Sequence, residues 1–169
     1  AGGLLGAATG TVISLGRAGS PFPSEAWEQG VITHWRVEVE SGRGGPAQRL
    51  QVFRPFGGAY YTVVSQSATE RITDGVNDFP TRIPIEPRDH VGLYGPDETL
   101  FCDKEEPDKG AVYKGVVPLG SAVPFTPEDE FGVPVIVGVE PDVDGDGYGD
   151  ETQDECPGNP ARQASCPPV

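Results

Sequence analysis

The sequence predicts an all-β protein, an antiparallel β-sandwich of jelly-roll type with about eight or nine strands, followed by an irregular acidic arm. Three observations predict this class. Several short segments alternate apolar and polar residues, which is typical of half-buried strands. Turns rich in Gly, Pro and Asp separate these segments, and the chain has 24 Gly and 18 Pro. Only residues 24–28 begin like a helix, and Pro21, Pro23 and Gly30 limit that helix to a short turn.

The first clear strand covers residues 31–40, where an apolar and a polar face alternate. The apolar face carries Val31, Trp35, Val37 and Val39. The polar face carries His34, Arg36, Glu38 and Glu40. Thr33 on the apolar side and Ile32 on the polar side break the pattern. The alternation predicts a strand with one face in the core and the other in water.

Shorter apolar segments supply the other strands. They are residues 49–54, 59–65, 83–85, 90–94, 99–102, 111–117 and 132–139. The first two are predicted to pair as a hairpin through Phe56-Gly57-Gly58. A charged turn at residues 103–109 separates the fifth from the sixth. In the last segment one face carries Val133, Val135, Val137 and Val139.

The chain is predicted to divide into three regions. Residues 1–20 form an N-terminal arm or a first strand, residues 21–140 form the β-sandwich, and residues 141–169 form the tail. The first sixteen residues carry no charged side chain, and the chain begins with Ala, so we expect a mature N-terminus left after removal of a signal peptide. Its apolar residues either form the first strand of their own sandwich or add as a strand to a neighbouring molecule. They are Leu4, Leu5, Val12, Ile13 and Leu15.

The charge of the chain is strongly negative and unevenly distributed. The net charge is −14 with an isoelectric point near 4.3, and residues 140–169 hold eight acidic residues but only one arginine. Nucleic acid is excluded as a partner, because phosphate binding requires a basic face. The sequence has no apolar window of 18 residues, so no membrane-spanning segment is predicted.

The acidic tail contains an Asp-x-Asp-x-Asp-Gly motif. Asp142, Asp144 and Asp146 stand at positions 1, 3 and 5 of a loop, and Gly147 at position 6 allows a sharp turn. Tyr148 offers its backbone carbonyl at position 7, and Asp150 follows at position 9. Carboxylates this crowded repel one another unless a cation lies among them, and oxygen ligands at this spacing favour Ca²⁺.

An EF-hand is excluded by what surrounds the motif. Position 12, which needs a bidentate Glu, is Gln153, and a predicted strand and a Cys-Pro pair replace the flanking helices. The segment at about residues 140–166 instead resembles a thrombospondin type-3 repeat. The shared residues are Asp142, Asp144, Asp146-Gly147, Gly149-Asp150, Asp154 and Cys156-Pro157. The resemblance implies an extracellular segment without regular secondary structure that folds around bound calcium.

The resemblance also implies Asp154 as the acidic residue that closes the calcium loop. In the family this residue lies one place nearer the motif than Asp154 does here. Either Asp154 reaches the ion through a wider turn, or Glu151 or Gln153 completes the ligand shell. The predicted metal ligands are therefore Asp142, Asp144, Asp146, Tyr148, Asp150 and Asp154.

The three cysteines predict one disulfide. Cys156 and Cys166 flank a short loop directly after the acidic motif, and a bond between them is worth about 2–3 kcal/mol through loop entropy. Cys102 is then either buried and reduced or paired between chains. A disulfide and millimolar extracellular calcium both favour a secreted or cell-surface location.

No arrangement of residues indicates catalysis, so we expect no enzyme. His34 lies on a polar strand face, and His90 follows Arg-Asp in what is more often a surface turn. No nucleophile elbow or phosphate loop is present. The acidic clusters at residues 105–106 and 128–130 are typical of solvated turns.

The expected function is that of a secreted, calcium-binding structural protein that self-assembles or adheres, with calcium rigidifying the C-terminal arm at a subunit joint. Its partners would be copies of itself or another extracellular protein. The alternative is a calcium-stabilised carbohydrate-binding or adhesion module of a larger secreted protein, with a glycan as ligand. Tyr60 and Tyr61 support that alternative, because neighbours on a strand face opposite sides and one ring is then exposed.

Overall fold

A computed structural model describes residues 8–17, 29–42, 44–100, 102–103, 108–129 and 131–167. These residues contain β-strands, turns and bends and no helix. The strands are β1 (Ala8–Arg17), β2 (Gly30–Val39), β3 (Ala47–Gly57), β4 (Tyr60–Gln66), β5 (Glu70–Arg71), β6 (Gly75–Ile85), β7 (His90–Thr99), β8 (Cys102–Asp103), β9 (Asp108–Tyr113), β10 (Ala122–Pro124), β11 (Thr126–Asp129), β12 (Phe131–Gly132) and β13 (Ile136–Pro141). The helical turn predicted at residues 24–28 lies outside the described residues.

Two larger sheets carry most of these strands. One sheet has the order β10-β4-β3-β7-β1-β9-β11, with β5 also paired to β3, and the other has the order β13-β2-β6. Strands β12 and β8 form a separate pair. The pairings between described strands are antiparallel, so the predicted all-β antiparallel sandwich is confirmed. The strands outnumber the prediction because several span only two to four residues, too few for alternation to be read.

The main core lies between the two larger sheets. Ile32 and Trp35 of β2 pack in one apolar cluster with Leu50 of β3 and Leu93 of β7. Trp35 is fully buried, and its ring lies 4.7 Å from that of Phe79. These contacts between opposite sheets make the two layers a sandwich.

The large sheet is buried on its second face as well. Val12 of β1 belongs to the main core, whereas its neighbour Ile13 belongs to a second cluster with Phe53, Val63 and Phe125. Successive residues of a strand face opposite sides, so β1 contributes to both clusters. In this structure β1 lies between β7 and β9 of its own chain. Leu4 and Leu5 lie outside the described residues.

Strand β2 contains a bulge at Thr33. Its pairing with both β6 and β13 passes from Ile32 directly to His34, so Thr33 has no opposite residue in either ladder. An extra residue reverses which positions face inward. Ile32 and Trp35 therefore both enter the core, although three positions separate them.

The bulge corrects two sequence predictions. Ile32, predicted on the polar face, is fully buried in the main core. Val31, predicted to share the face of Trp35, lies outside both core clusters, on the opposite face between Pro84 and Glu140. Val31 is nevertheless fully buried, so something covers that face of the sheet. The predicted polar face is confirmed, because His34, Arg36, Glu38 and Glu40 are exposed.

The predicted hairpin is also confirmed. Strands β3 and β4 pair around a turn at residues 58–59, with Gly57 and Gly58 in the positive-φ region that glycine tolerates. Tyr61 packs against the second core cluster, whereas Tyr60 is 47% exposed, so the two rings face opposite sides as predicted.

Near the end of the chain, Val133, Val135 and Val137 pack against the main core. Val139 does not share their burial and is 47% exposed.

Proline occurs in the two end strands of each larger sheet, whereas β5, which pairs with β3 beside the main strand order, has none. Strands β10 and β11 border the large sheet and contain Pro124 and Pro127. Strands β6 and β13 border the smaller sheet and contain Pro80, Pro84 and Pro141. Proline has no N–H to donate to a neighbouring strand. These borders are therefore poor templates for the addition of another strand.

Candidate metal centre

The acidic loop begins where β13 ends. The amide of Asp150 donates to the carbonyl of Pro141 at 2.9 Å and closes the loop on itself. From Asp142 to residue 167 the chain has turns and bends but no strand or helix, which agrees with the predicted irregular arm. The arm therefore depends on side chains, a disulfide and any bound ion for its order, rather than on a backbone ladder.

The backbone of the loop wraps around the Asp142 carboxylate. Its Oδ1 accepts hydrogen bonds from the amides of Gly145 and Asp146 at 2.9 and 3.0 Å, and its Oδ2 accepts one from Gly147 at 3.0 Å. Gly145 and Gly147 have φ of 76° and 84°, a conformation that favours glycine. This curl brings one carboxylate oxygen from each of Asp142, Asp144 and Asp146 within 4.8 Å of the others.

Two buried carboxylate oxygens of the arm have no hydrogen-bond partner within the described part of the chain. They are Oδ2 of Asp144 and Oδ2 of Asp154. Asp154 is only 4% exposed, and its Oδ1 accepts a hydrogen bond from the Cys156 amide at 2.8 Å. An unpaired buried carboxylate oxygen is strongly unfavourable, and a bound cation removes that penalty. The residues of the arm therefore fit a metal ion.

The negative charges of neighbouring aspartates change the pKa of Asp144. Burial and the negative charges of Asp146, Asp154 and Asp142 raise the pKa of Asp144, against a hydrogen bond from the Asp146 amide that lowers it. Asp154 is therefore close enough to Asp144 for their charges to interact, although it is twelve positions beyond Asp142. It lies outside the tighter group formed by Asp142, Asp144 and Asp146.

The other residues considered as ligands, Asp150, Tyr148 and Gln153, make hydrogen bonds of their own. The two carboxylate oxygens of Asp150 accept from the Val143 amide at 3.4 and 3.1 Å, so Asp150 braces the loop. The amide of Tyr148 donates to Asp146 at 2.9 Å. The side chain of Gln153 is engaged at both ends, since its Oε1 accepts from the Gly149 amide at 3.3 Å and its Nε2 donates to the Thr81 carbonyl at 2.9 Å.

The arm is attached to the smaller sheet through Glu140. Its Oε2 accepts from the amides of Glu151 and Thr152 at 3.1 and 2.9 Å, and its Oε1 accepts from the Thr152 hydroxyl at 2.6 Å. Burial alone raises the pKa of Glu140, but hydrogen bonds from Thr152, Thr33 and Glu151 outweigh burial and lower the pKa below its ordinary value. The carboxylate is therefore held in its charged form.

Glycine allows the arm to approach the sheet closely. A Cβ on Gly149 would lie 2.5 Å from Oε2 of Glu140 and 2.8 Å from Cγ2 of Thr33. The bulge turns Thr33 toward this contact, and Gly147 lies near Pro84 on the same face. The arm thus approaches Pro84 and Glu140, the two residues that are paired with the buried Val31.

An aromatic ring of the arm makes a second attachment. The guanidinium of Arg82 in β6 lies 4.1 Å from the centroid of the Tyr148 ring, in a cation–π contact.

Sequence reasoning missed Arg82, Thr33 and Glu140 as parts of this site. Glu140 had a local signal, because it is an acidic residue at the end of a strand directly before the motif. Arg82 and Thr33 had no such signal in the sequence, because only the folding of the chain brings them next to the arm.

A disulfide closes the second half of the arm. Cys156 and Cys166 are bonded, with 4.9 Å between their Cα atoms, which confirms the predicted pair. Within the closed loop, Gln163 accepts from the Glu155 amide at 2.9 Å and donates through Nε2 to Oδ2 of Asp146 at 2.7 Å. The disulfide loop therefore supports one of the clustered aspartates. The side chain of Cys102 lies outside the described residues.

Asp89 and the adjacent His90 have hydrogen-bond partners on different segments. The carboxylate of Asp89 accepts from Arg54 and from the Glu86 amide, whereas Nδ1 of His90 lies 3.2 Å from the Ser14 carbonyl. Asp89 therefore does not orient Nδ1 of His90. The acidic cluster at residues 105–106 lies outside the described residues.

Comparison of the chain with protein-family models, curated protein sequences and solved structures finds no match. Among the described residues no helix is long and apolar enough to cross a membrane.

Proposed function

We propose that this chain is a secreted structural protein that uses one Ca²⁺ site to hold its C-terminal arm, a segment similar to a thrombospondin type-3 repeat, against the β-sandwich. The observation that carries the proposal is a pair of buried carboxylate oxygens in the arm, on Asp144 and Asp154, for which the described residues supply no hydrogen-bond partner. Ca²⁺ fits better than Mg²⁺, because Ca²⁺ accepts many oxygen ligands in a flexible, irregular loop. The disulfide supports an oxidising, extracellular location.

The proposed ligands are Asp142, Asp144, Asp146, the Tyr148 carbonyl, Asp150 and Asp154. Asp154 is the preferred closing ligand over its two alternatives. Both ends of the Gln153 amide are engaged, and Glu151 is exposed at the surface. Asp154 in contrast is buried, has an unpartnered oxygen and interacts electrostatically with Asp144.

The proposed role of calcium is mechanical. By cancelling repulsion among the aspartates, the ion makes the arm rigid and fixes its direction on the face formed by β2, β6 and β13. Val143, which is 78% exposed in the calcium loop, is then presented to a partner. We propose that this partner is a second copy of the chain or another extracellular protein, and that the arm forms the joint.

The joint is proposed to use side chains rather than strand addition. Strand β1 is paired on both edges within its own sheet, and proline occupies the border strands. Strand exchange between molecules would have to displace β1 or pair along an end strand in which proline removes one or two of the N–H donors.

Calcium binding and assembly can be tested separately on the full chain. Calorimetric titration with Ca²⁺ is expected to show binding that Asp154→Asn weakens, whereas Glu38→Gln, an exposed acid of β2, leaves it unchanged. Light scattering after gel filtration, in millimolar Ca²⁺ and in chelator, then measures assembly. Monomers in both conditions would exclude self-assembly and leave calcium binding intact. A flat calorimetric titration would overturn the calcium site itself.

A second candidate function, carbohydrate binding or adhesion, is favoured by aromatic side chains at the β3–β4 hairpin. Phe56 is 73% exposed and Tyr60 is 47% exposed there. Exposed aromatic rings offer a flat apolar surface on which a sugar can stack. A glycan array in millimolar Ca²⁺ tests this candidate, and an array without signal would remove it.

A further inference from the structure

A cavity of about 550 Å³ lies beside the tip of the β3–β4 hairpin. Four of the residues that line it have side chains suited to recognition, and they are Phe56, Tyr61, Arg88 and His90. The hairpin glycines form another part of its wall, and the cavity is open to solvent. Its volume is within the range of roughly 300–1,000 Å³ that small-molecule sites occupy.

Arg88 stands at a backbone position that favours glycine. The amide of Asp89 donates to the Glu86 carbonyl at 3.1 Å, so residues 86–89 form a β-turn with Pro87 second and Arg88 third. The φ of Arg88 is 73°, which makes this a type II turn, where the third residue is usually glycine. Among the described residues, Arg88 alone has positive φ without being glycine. Strained backbone positions of this kind cluster at ligand-binding and other functional sites.

Hydrogen bonds of the Asp89 carboxylate fix the conformation of this turn. Asp89 is fully buried, and its carboxylate accepts from Nε and Nη2 of Arg54 at 2.8 and 2.9 Å and from the Glu86 amide at 2.9 Å. Arg54 also pairs with the Glu86 carboxylate at 3.1 Å. The charge of Arg54 is thus neutralised locally, whereas Arg88 makes no ion pair within the described part of the chain. Arg88 therefore offers the cavity a positive charge.

Aromatic rings lie beside this charge. Phe56 is 73% exposed at the cavity. The rings of Tyr61 and His90 meet edge to face with centroids 5.5 Å apart, and His90 is only 5% exposed. The cavity therefore combines an exposed apolar ring, a rigid aromatic pair and a guanidinium.

We propose that this cavity binds a sugar residue that carries a single carboxylate group. The planar guanidinium of Arg88 can bind both oxygens of a carboxylate, and the Phe56 ring offers a surface for the C–H face of the sugar. The open side of the cavity leaves room for the rest of a glycan chain. The net charge of −14 disfavours a densely charged polymer, so the acidic sugar is sparse along that chain. This inference rests on the second candidate function and names its ligand.

Calorimetric titration of the full chain with a glucuronate-containing disaccharide, and with the matching glucose disaccharide, tests the inference. The acidic sugar is expected to bind about tenfold or more tightly than the neutral one. Arg88→Gln should abolish that preference, whereas Arg71→Gln, which removes the same charge from exposed β5, should preserve it. Arg88→Gly should also lose binding while raising Tm, because glycine relieves the positive φ. Loss of binding in a more stable variant excludes misfolding as its cause.

Three outcomes would overturn the inference. If the wild-type chain binds the two disaccharides equally well, the second candidate function survives but the acidic-sugar site does not. If neither disaccharide binds and the glycan array is also blank, both fail. If acetate binds at Arg88 as tightly as the glucuronate disaccharide does, the cavity is a simple carboxylate site and its assignment to a sugar is wrong.

Discussion

The Thr152 hydroxyl donates a hydrogen bond to Oε1 of Glu140 at 2.6 Å, and the Thr152 amide donates to Oε2 of the same carboxylate at 2.9 Å. This pair connects the last strand to the second half of the arm, on the far side of the acidic loop. It involves no metal ion. The hydrogen-bonded attachment at Glu140 therefore supports the arm in addition to the proposed calcium site, together with the contacts of Tyr148 with Arg82 and of Gln153 with Thr81.

We expect Glu140→Gln to destabilise the arm with or without calcium. Glu140 is 8% exposed, and the substitution removes the charge from hydrogen bonds with Thr152 and Glu151. Hydrogen bonds to a charged group contribute about 1.5–3 kcal/mol each, and the amide keeps part of that, so a loss of about 1–3 kcal/mol is expected. Denaturant unfolding followed by hydrogen exchange of the arm measures it. Glu38→Gln is the matched control, and equal stability of the two variants would contradict this role.

Asp144→Asn should have opposite effects in calcium and in chelator. In buffer that contains calcium, the variant lacks one proposed ligand, and its affinity for calcium should fall by about tenfold or more. In chelator, the variant relieves the repulsion that Asp146, Asp154 and Asp142 exert on Asp144, so its Tm should rise above that of the wild type. Thermal unfolding in both buffers measures the two shifts. A Tm that falls equally in both buffers would assign Asp144 a purely structural role.

Gly149→Ala should separate the arm from the sheet. The added Cβ would meet Oε2 of Glu140 and Cγ2 of Thr33, and neither the strand nor the hydrogen-bonded carboxylate can move freely. Overpacking of this kind destabilises by about 1–3 kcal/mol. Faster hydrogen exchange at the Thr152 amide and at Val31 is the expected readout.

Gly158→Ala is the control for this substitution. A Cβ at Gly158 meets nothing within 4 Å, and its backbone is not in the positive-φ region. This variant should exchange like the wild type. If Gly149→Ala does so too, the close packing between the arm and the smaller sheet is wrong.

Replacing both Cys156 and Cys166 with serine should weaken calcium binding at a distance. The disulfide closes a loop with a sequence separation of 10, and its loss costs about 2–3 kcal/mol of arm stability. Because Gln163 within that loop donates to Asp146, the loss should also loosen a proposed ligand. Calcium titration of the double variant and of Gln163→Ala should show affinity reduced in the same direction. Unchanged affinity in both would show that the closed loop does not support the site.

Local sequence patterns predicted the structural features that depend on residues close together in the chain. The alternation in β2, the β3–β4 hairpin, the Cys156–Cys166 bond and the grouping of Asp142 with Asp144 and Asp146 all depend on residues close together in the chain. Strand period, turn chemistry and loop spacing act over a few residues, so one sequence is enough to read them.

The sequence by itself determined an all-β chain with an acidic loop near its C-terminus, followed by a second loop that a disulfide closes. Only the tertiary structure decided how the acidic loop is held and which face it covers. The bulge at Thr33 places Val31 on the face opposite the main core, Arg82 reaches Tyr148 from another strand, and Arg88 lines the hairpin cavity. These contacts join residues far apart in the chain. They arise because strand pairing and core packing bring distant segments together, and no local spacing encodes which segments will meet.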